Sequence, residues 1–358
     1  MSLNAHIPKA VLYYNPESVW SSSALLALAE KGYDDGEVEL KIVNLAKAEN
    51  LSISFLRINS KGTVPTLVVP LEKTLAPDDD HLYKAVTDTK AVLDFLDKSR
   101  SAVSRTHTVS SAPAPALAPA TIALSSSASD IVDLLHSDNA DPTLLYYYNY
   151  LSDAVLASSA GTFIPFLTSR QTALASYLAN NQTLQIQVSE KTRKLWESRK
   201  TQMDELLSVY SVADKDDSAF TAEQKIERDE FRSTSHERWA IKLRQVLTTL
   251  DKEMLGPFAL GDQISIVDLH LGPWLAHIAL LCDGVPSDSG DTIVAKIETR
   301  VGNGFTLPKT FQTFVSSELG ADPSLEITPG AKRSKLAAFW DEMKVRPSWK
   351  KIYGEKLH

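Results

Sequence analysis

The chain changes its hydrophobic period across one segment. Ahead of Ser99, short apolar runs with strand-like alternation are interleaved with brief helical stretches, whereas from Ile131 onward almost every segment has helical period. Between them, Ser99–Ala120 is rich in Ser, Ala and Pro and contains APAPALAPA. Its prolines lack an N–H donor and fix φ, so the stretch sustains neither a helix nor a central strand and reads as an extended linker. With 358 residues the chain has room for two domains. The expected division is 8–98, a linker over 99–120, and 121–358, with insertions near 185–237 and 283–333.

In the first part, Val11–Tyr14 reads as a strand and Ser21–Lys31 as a helix ended by Gly32. Val38–Asn44 alternates as a second strand, and Leu51–Ile58 is a short helix. Thr66–Leu71 and His81–Val86 flank the acidic turn APDDD as a long hairpin, and Thr87–Leu96 becomes an apolar-striped helix. The order is β-α-β-α-β-β-α. In the second part, helical periods run over Ile131–His136, Leu144–Leu178, Val188–Val212, Ile226–Leu255, Ile266–Leu281 and Lys335–Met343, which predicts an all-helical domain. Val188–Glu237, dense in charge, reads as a solvated helical hairpin. Cys282–Gly330, with its Gly, Pro, Ser and Asp residues, reads as a long surface excursion.

Charge and composition narrow the function. A net charge of -8 without a basic block argues against a nucleic-acid partner, which needs Lys and Arg to neutralise phosphates, and leaves a small molecule or a protein. No apolar stretch approaches the ~18 residues needed to span a bilayer, and MSLNAHIPKA lacks the form of a signal peptide, so no membrane partner and a cytoplasmic location are expected. The single cysteine, Cys282, excludes a disulfide within the chain and a cysteine zinc centre, and no metal site is expected. Its apolar neighbours make it a small buried hydrophobe rather than a reactive thiol.

Three constellations stand out. In Gly62-Thr63-Val64-Pro65-Thr66-Leu67 a proline precedes a strand, where a cis bond turns the preceding backbone outward for an extended peptide to pair with. Thr87-Asp88-Thr89 opens a helix, either as an ordinary N-cap or as a carboxylate-binding end. Ser265 and Asp268 form a capping box with the Ile264–Leu269 staple, a structural device ahead of LHLGPWLAHIALL.

Taken together these segments resemble the cytosolic glutathione transferase superfamily. LYYNPESVWSSSALLALAEKG (Leu12–Gly32) is similar to the family's first strand, active loop and helix, and FLRINSKGTVPTLVV to its FLxxNPxGxVPxL segment. TDTKAVLDFL stands at the family's Glu-Ser helix start, FALGDQISIVDLHLGPWLAHI at its GDxxSxxDxxxxPxL segment, and FWDEMKVRPSWKKI at its closing pattern. The similarity covers residues 8–98 and 240–282 most fully and hardly reaches the charged hairpin or the 283–330 excursion.

The resemblance implies an α/β N-terminal thioredoxin-like domain that binds glutathione, an all-α C-terminal domain that supplies the second substrate, and, for many members, a homodimer. It implies a detoxifying transferase that conjugates glutathione, as co-substrate, to an apolar electrophile. The alternative is a catalytically inactive relative that serves as a binding or scaffold module. Ser18 falls at the family's catalytic serine and Tyr14 where other classes use a tyrosine; Ser18 is preferred, with Ser21 next. Val64, with Pro65 in cis, would pair with the cysteinyl backbone, Asp88 and Thr89 would hold the γ-glutamyl end, and Lys61 the glycine carboxylate. The sequence departs from the family at several of these places. Asp88 replaces a Glu or Gln and reaches less far by about 1.5 Å. Thr63 replaces a basic or amide residue, and Ser22 and Ser23 replace a basic pair. Tyr146, Tyr147, Tyr148, Tyr150, Phe163 and Phe166 either line an apolar second-substrate cleft or pack among helices.

Overall fold

The computed structural model describes residues 9–70, 83–100, 110–119, 121–183, 188–315 and 328–358. In chain order the first elements are β1 (Ala10–Tyr14), α1 (Val19–Glu30), β2 (Val38–Ile42), α2 (Ile53–Leu56), β3 (Thr66–Pro70), β4 (Tyr83–Val86) and α3 (Thr89–Ser99). There follow α4 (Ile122–Leu135), α5 (Pro142–Tyr147), α6 (Asp153–Thr183), α7 (Glu190–Tyr210), α8 (Ala222–His236) and α9 (Arg244–Glu253), a π-helical turn at Glu237–Leu243 joining the last two. The chain closes with α10 (Ile266–Leu281), α11 (Gly290–Val301), β5 (Phe311–Val315), β6 (Thr328–Arg333), α12 (Lys335–Val345) and α13 (Pro347–Tyr353). No helix among the described residues is long and apolar enough to cross a membrane.

The elements form two compact units. One holds Met1–Ala24, Lys31–Ala114 and Tyr147–Ser235, and the other Leu25–Glu30, Pro115–Tyr146 and His236–His358. In the first, the sheet order is β2-β1-β3-β4: β1 runs parallel to β2, across α1, and antiparallel to β3, which pairs antiparallel with β4. This is the expected thioredoxin-like arrangement in the expected element order. The turn APDDD lies outside the described residues, as do 101–109 of the expected linker.

Register follows from burial. Leu12 stands opposite Leu67, and both are fully buried. The apolar stripe of α3, Val92, Leu93 and Leu96, turns inward, while Asp88 caps its first turn. Gly32, at φ +66°, ends α1 where a Cβ would come within 2.7 Å of the Pro113 carbonyl. Arg100 explains that closeness: its guanidinium donates to the carbonyls of Lys31, Ser110 (3.2 Å) and Ala112 (3.0 Å). A proline-rich segment with few donors of its own is thus tied down by its carbonyls. Behind it, Lys31 and Asp97 pair at 2.8 Å with both side chains buried.

Helices complete this unit. Val188–Glu237, expected as a solvated hairpin, instead buries Trp196, Met203, Leu206, Val209, Tyr210 and Phe231. Its dense charge lies mainly on the outer face, in exposed pairs such as Arg193–Glu190, and masks the apolar stripe beneath. Leu144–Leu178 is not one helix: it breaks at 148–152 between α5 and α6.

The second unit is built around α10, which is apolar nearly all round and buried over almost its whole length. The expected capping box is present. Asp268, fully buried, accepts from Ser265 N (2.6 Å), Ser265 Oγ (2.8 Å) and Ala259 N (2.7 Å). Burial pushes its carboxyl up to about 6 against the pull of these donors, so at neutral pH it is the acceptor-only carboxylate that they require. Trp274 Nε1 donates to Ala140 O at 2.8 Å, and Arg346 grips Glu30 through Nε (2.8 Å) and Nη2 (2.6 Å).

The unit is helical, as expected, with one antiparallel pair, β5 and β6, added to it. Cys282–Gly330 is not wholly an excursion: α11 lies within it, capped by Ser289, with Ile293, Val294, Ile297 and Val301 buried. The helical spacing was present, but Ser289, Gly290 and Asp291 read as loop. Gly290 is there because a Cβ would collide with the Ala337 backbone.

Asp268→Asn tests the capping box. An amide offers one acceptor oxygen and sets an NH2 group against a donor, leaving a buried N–H unpaired. Unfolding in urea should show a loss of about 3 kcal/mol; a loss below about 0.5 kcal/mol would mean that the box carries no weight.

Candidate functional site

The sheet brings three separate loops to one end. Because β1 and β3 are antiparallel with Tyr13 opposite Thr66, the exit of β1 lies beside the entry of β3. Because β4 is antiparallel to β3 with Val86 opposite Leu67, the exit of β4 lies there as well. The Tyr14–Ser18 turn, the Gly62–Pro65 loop and Thr87–Thr89 therefore share one edge, at which α1 and α3 both begin. Two helix N-termini, with their partial positive charge, face this end.

In the first loop, Asn15 organises the turn. Its Oδ1 accepts from Glu17 N (3.0 Å), its Nδ2 donates to Val43 O (3.0 Å), and its carbonyl accepts from Ser18 N (3.1 Å). Ser18 is the cap of α1, its Oγ accepting from Ser21 N at 3.3 Å. The sequence reading starts this helix at Ser21; in the structure it starts at Val19 and Ser18 caps it. The three later serines are fully buried. Ser22 and Ser23 donate their hydroxyl protons to the carbonyls four residues back, Ser18 O (3.3 Å) and Val19 O (3.5 Å), and Ser21 Oγ accepts from Asn15 N (3.2 Å). Ser18, half-buried, is the serine of the four that reaches solvent. A hydroxyl has two lone pairs and one proton, so accepting the capping bond leaves its proton to be donated.

The second loop is held by a residue that the sequence reading did not single out. Asn59, 1% exposed, donates to Thr63 O (2.9 Å), Thr63 Oγ1 (3.0 Å) and Thr66 Oγ1 (2.9 Å), and its Oδ1 accepts from Lys61 N (3.0 Å). Its neighbours in NSKGTVP mark it only as a turn residue, and its central place shows only once the loop closes on it. The Val64–Pro65 peptide is cis, as expected. The β1–β3 ladder starts at Thr66, so Val64 stands ahead of the paired residues. Its side chain packs with Val43 and Phe55, against Tyr13 and Leu45.

In the third loop, Asp88 is exposed and caps α3, its Oδ1 accepting from Lys90 N (3.0 Å) and Ala91 N (3.3 Å); Thr89 beside it is half-buried. Lys61 is exposed in the second loop. Tyr14, half-buried at the end of β1, falls by strand alternation on the Leu12 face, whereas Tyr13 points to the Val64 side and meets Phe55 edge-on at 5.8 Å. All seven expected site residues thus lie on loops, at a strand end or at the start of a helix, at one edge of the sheet.

The aromatic run beyond α4 is mostly packing. Tyr147 meets Phe163 at 6.4 Å, Phe163 stacks on Tyr210 at 4.6 Å, and Tyr148 lies against Phe231 at 5.3 Å. Tyr210 Oη donates to Tyr147 O at 3.0 Å, closing a buried cluster. Cys282 is 7% exposed, and burial pushes its thiol up to about 12, so it stays protonated. Among the described residues no group of three His, Cys, Asp or Glu side chains is placed to hold a metal ion.

Residues 17–99 match the model of the family described as glutathione S-transferase, N-terminal domain. No curated protein sequence matches the chain. Among solved structures, the beta-etherase LigF of Sphingobium sp. strain SYK-6 is similar at 14% identity and TM-score 0.46, covering 97% of this chain and 99% of that one. Glutathione transferase F7 of Populus trichocarpa is similar at 14% identity and TM-score 0.44, covering 96% and 97%. A glutathione transferase homolog from Sulfitobacter, solved with bound glutathione, is similar at 16% identity and TM-score 0.42, covering 96% of each chain. The family match is confined to the N-terminal part: residues 17–99 are similar to the glutathione S-transferase N-terminal domain.

Proposed function

We propose that the chain binds glutathione at the shared edge of its sheet and conjugates it to electrophilic apolar small molecules, with Ser18 donating to the sulfur. The observation that carries this reading is the place of the Ser18 hydroxyl, half-buried at the start of α1, where it accepts the capping bond and, being a hydroxyl, retains a proton to donate. A free thiol has a pKa near ~8.5, so at pH 7 only a few per cent is nucleophilic thiolate. A donated hydrogen bond and the positive end of α1 both favour the charged form. Val64, with Pro65 in cis, offers a backbone edge for the cysteinyl part of the tripeptide, and Asp88 and Thr89 stand at the start of α3 to meet its γ-glutamyl end. Lys61 meets the glycine carboxylate. The resemblance extends the reading to a cytoplasmic homodimer with a detoxifying role.

The second reading, an inactive binding or scaffold protein, is favoured by Asp88. Its Oδ1 is already engaged by two backbone N–H groups, and the side chain is a methylene shorter than the family's glutamate. Glutathione at about a hundred times its dissociation constant should stabilise the fold by about 2.7 kcal/mol. No thermal shift at millimolar glutathione would favour the scaffold.

Conjugation itself separates the hydroxyls. Ser18→Ala should move the pH profile for a generic aromatic electrophile upward by about one to two units, since a hydrogen bond to a charged group is worth about 1.5–3 kcal/mol. It should also cost about 1 kcal/mol of stability through the lost cap. Ser18→Asp keeps the cap acceptor and provides no proton at neutral pH, so it should retain the stability and lose the activity. Tyr14→Phe should leave the profile in place. The reverse pattern would make Tyr14 the sulfur's partner. Cys282→Ala should keep activity within about twofold, as a packing residue would.

A further inference from the structure

The Gly62–Pro65 loop is anchored from outside the sheet. Arg170, on α6 and 9% exposed, donates from Nη1 to the Leu45 carbonyl and, at 3.3 Å, to Asn50 Oδ1. Asn50, itself 5% exposed, donates from Nδ2 to Gly62 O at 2.6 Å. The chain of bonds thus runs from a buried guanidinium, through one amide, to a carbonyl two residues ahead of Val64. Both of Arg170's acceptors are neutral oxygens. The cation polarises the Asn50 amide, which makes its NH2 group a stronger donor to Gly62.

Gly62 cannot easily answer in another way. Its φ is +63°, and a Cβ there would lie 2.6 Å from Leu51 Cδ2 and 2.9 Å from Asn50 O, so the backbone is pressed against the segment that carries the donor. That segment is fixed in turn by α6 and α7: Tyr177 Oη donates to Ala48 O at 3.3 Å, and Trp196 Nε1 to Leu51 O at 2.8 Å. Asn59 sets the loop's inner curvature, and the Arg170–Asn50 pair sets the direction of its entry.

We infer that Arg170 is a positioning residue for the glutathione-binding edge: acting through Asn50, it holds the Gly62 carbonyl and keeps the Val64 backbone in the geometry that pairs with the tripeptide. This rests on the glutathione-binding reading above. A loop that is competent only part of the time weakens apparent affinity by that fraction without altering the chemistry at sulfur.

The test uses the full chain with Arg170→Met, Asn50→Ala, the double variant, and Leu174→Ala as a control that destabilises α6 without touching the bond chain. Amide hydrogen exchange at Thr63, Val64 and Thr66 should speed up in both single variants and stay unchanged in the control at a matched loss of stability. Glutathione affinity by calorimetry should fall about tenfold in each single variant, the equivalent of one good hydrogen bond. The double variant should be no weaker than either, because the two residues act in series. In turnover, KM for glutathione should rise while kcat stays within about twofold. Additive losses, or an equal effect in the control, would overturn the inference. Unchanged exchange at the loop would sink the bond chain alone, whereas a wild-type protein that fails to bind glutathione would sink the functional reading and with it the role given to Arg170.

Discussion

The pairing of Tyr13 with Thr66 is the constraint on which the site depends. If β3 ran parallel to β1, the Val64–Pro65 loop would open at the opposite end of the sheet from Ser18. Antiparallel pairing of β3 with both β1 and β4 gathers the exits of two strands, the entry of a third and the starts of two helices at one edge. Each contribution is modest: one hydroxyl, one unpaired backbone edge, two helix termini. In the proposed reading, their convergence is what gives that edge its affinity for a small anionic peptide.

The edge is also a problem of polar accounting. Loops that expose backbone groups to a ligand must satisfy the rest of their polar atoms internally. Asn59 does this for the Val64 loop and Asn15 for the Ser18 turn, each using both ends of its amide. The buried serines of α1 make the same point: a hydroxyl-rich junction suggests several donors, but three of the four are absorbed into the fold. Ser18 is left because it alone of the four is not fully buried: its oxygen takes the capping bond at the start of α1 while the hydroxyl still reaches solvent.

Local patterns were legible in the sequence, and contacts between distant residues were not. The strands, α1, α3 and the Ser265–Asp268 capping box each carry their signal within a few residues, and so does the Val64–Pro65 turn. The helical character of the C-terminal part was legible but the β5–β6 pair was not, and α11 was obscured by the loop-like residues around Gly290, whose reason is the Ala337 backbone 47 positions downstream by residue number. The aromatic run 146–150 allowed a cleft or a core, and only the meeting of Phe163 with Tyr210 decided for a core there. Arg170 had no local signal at all, since its partners lie more than a hundred residues earlier in the chain.

The central claim is that the Ser18 hydroxyl holds glutathione's sulfur as a thiolate. Titrating the ultraviolet absorbance of thiolate in the bound complex, for the wild type and Ser18→Ala at saturating glutathione, tests it most directly. The account predicts a bound thiol that ionises well below the free value near ~8.5 in the wild type and returns toward it in the variant. Identical titrations for the two proteins, with glutathione bound in both, would contradict it.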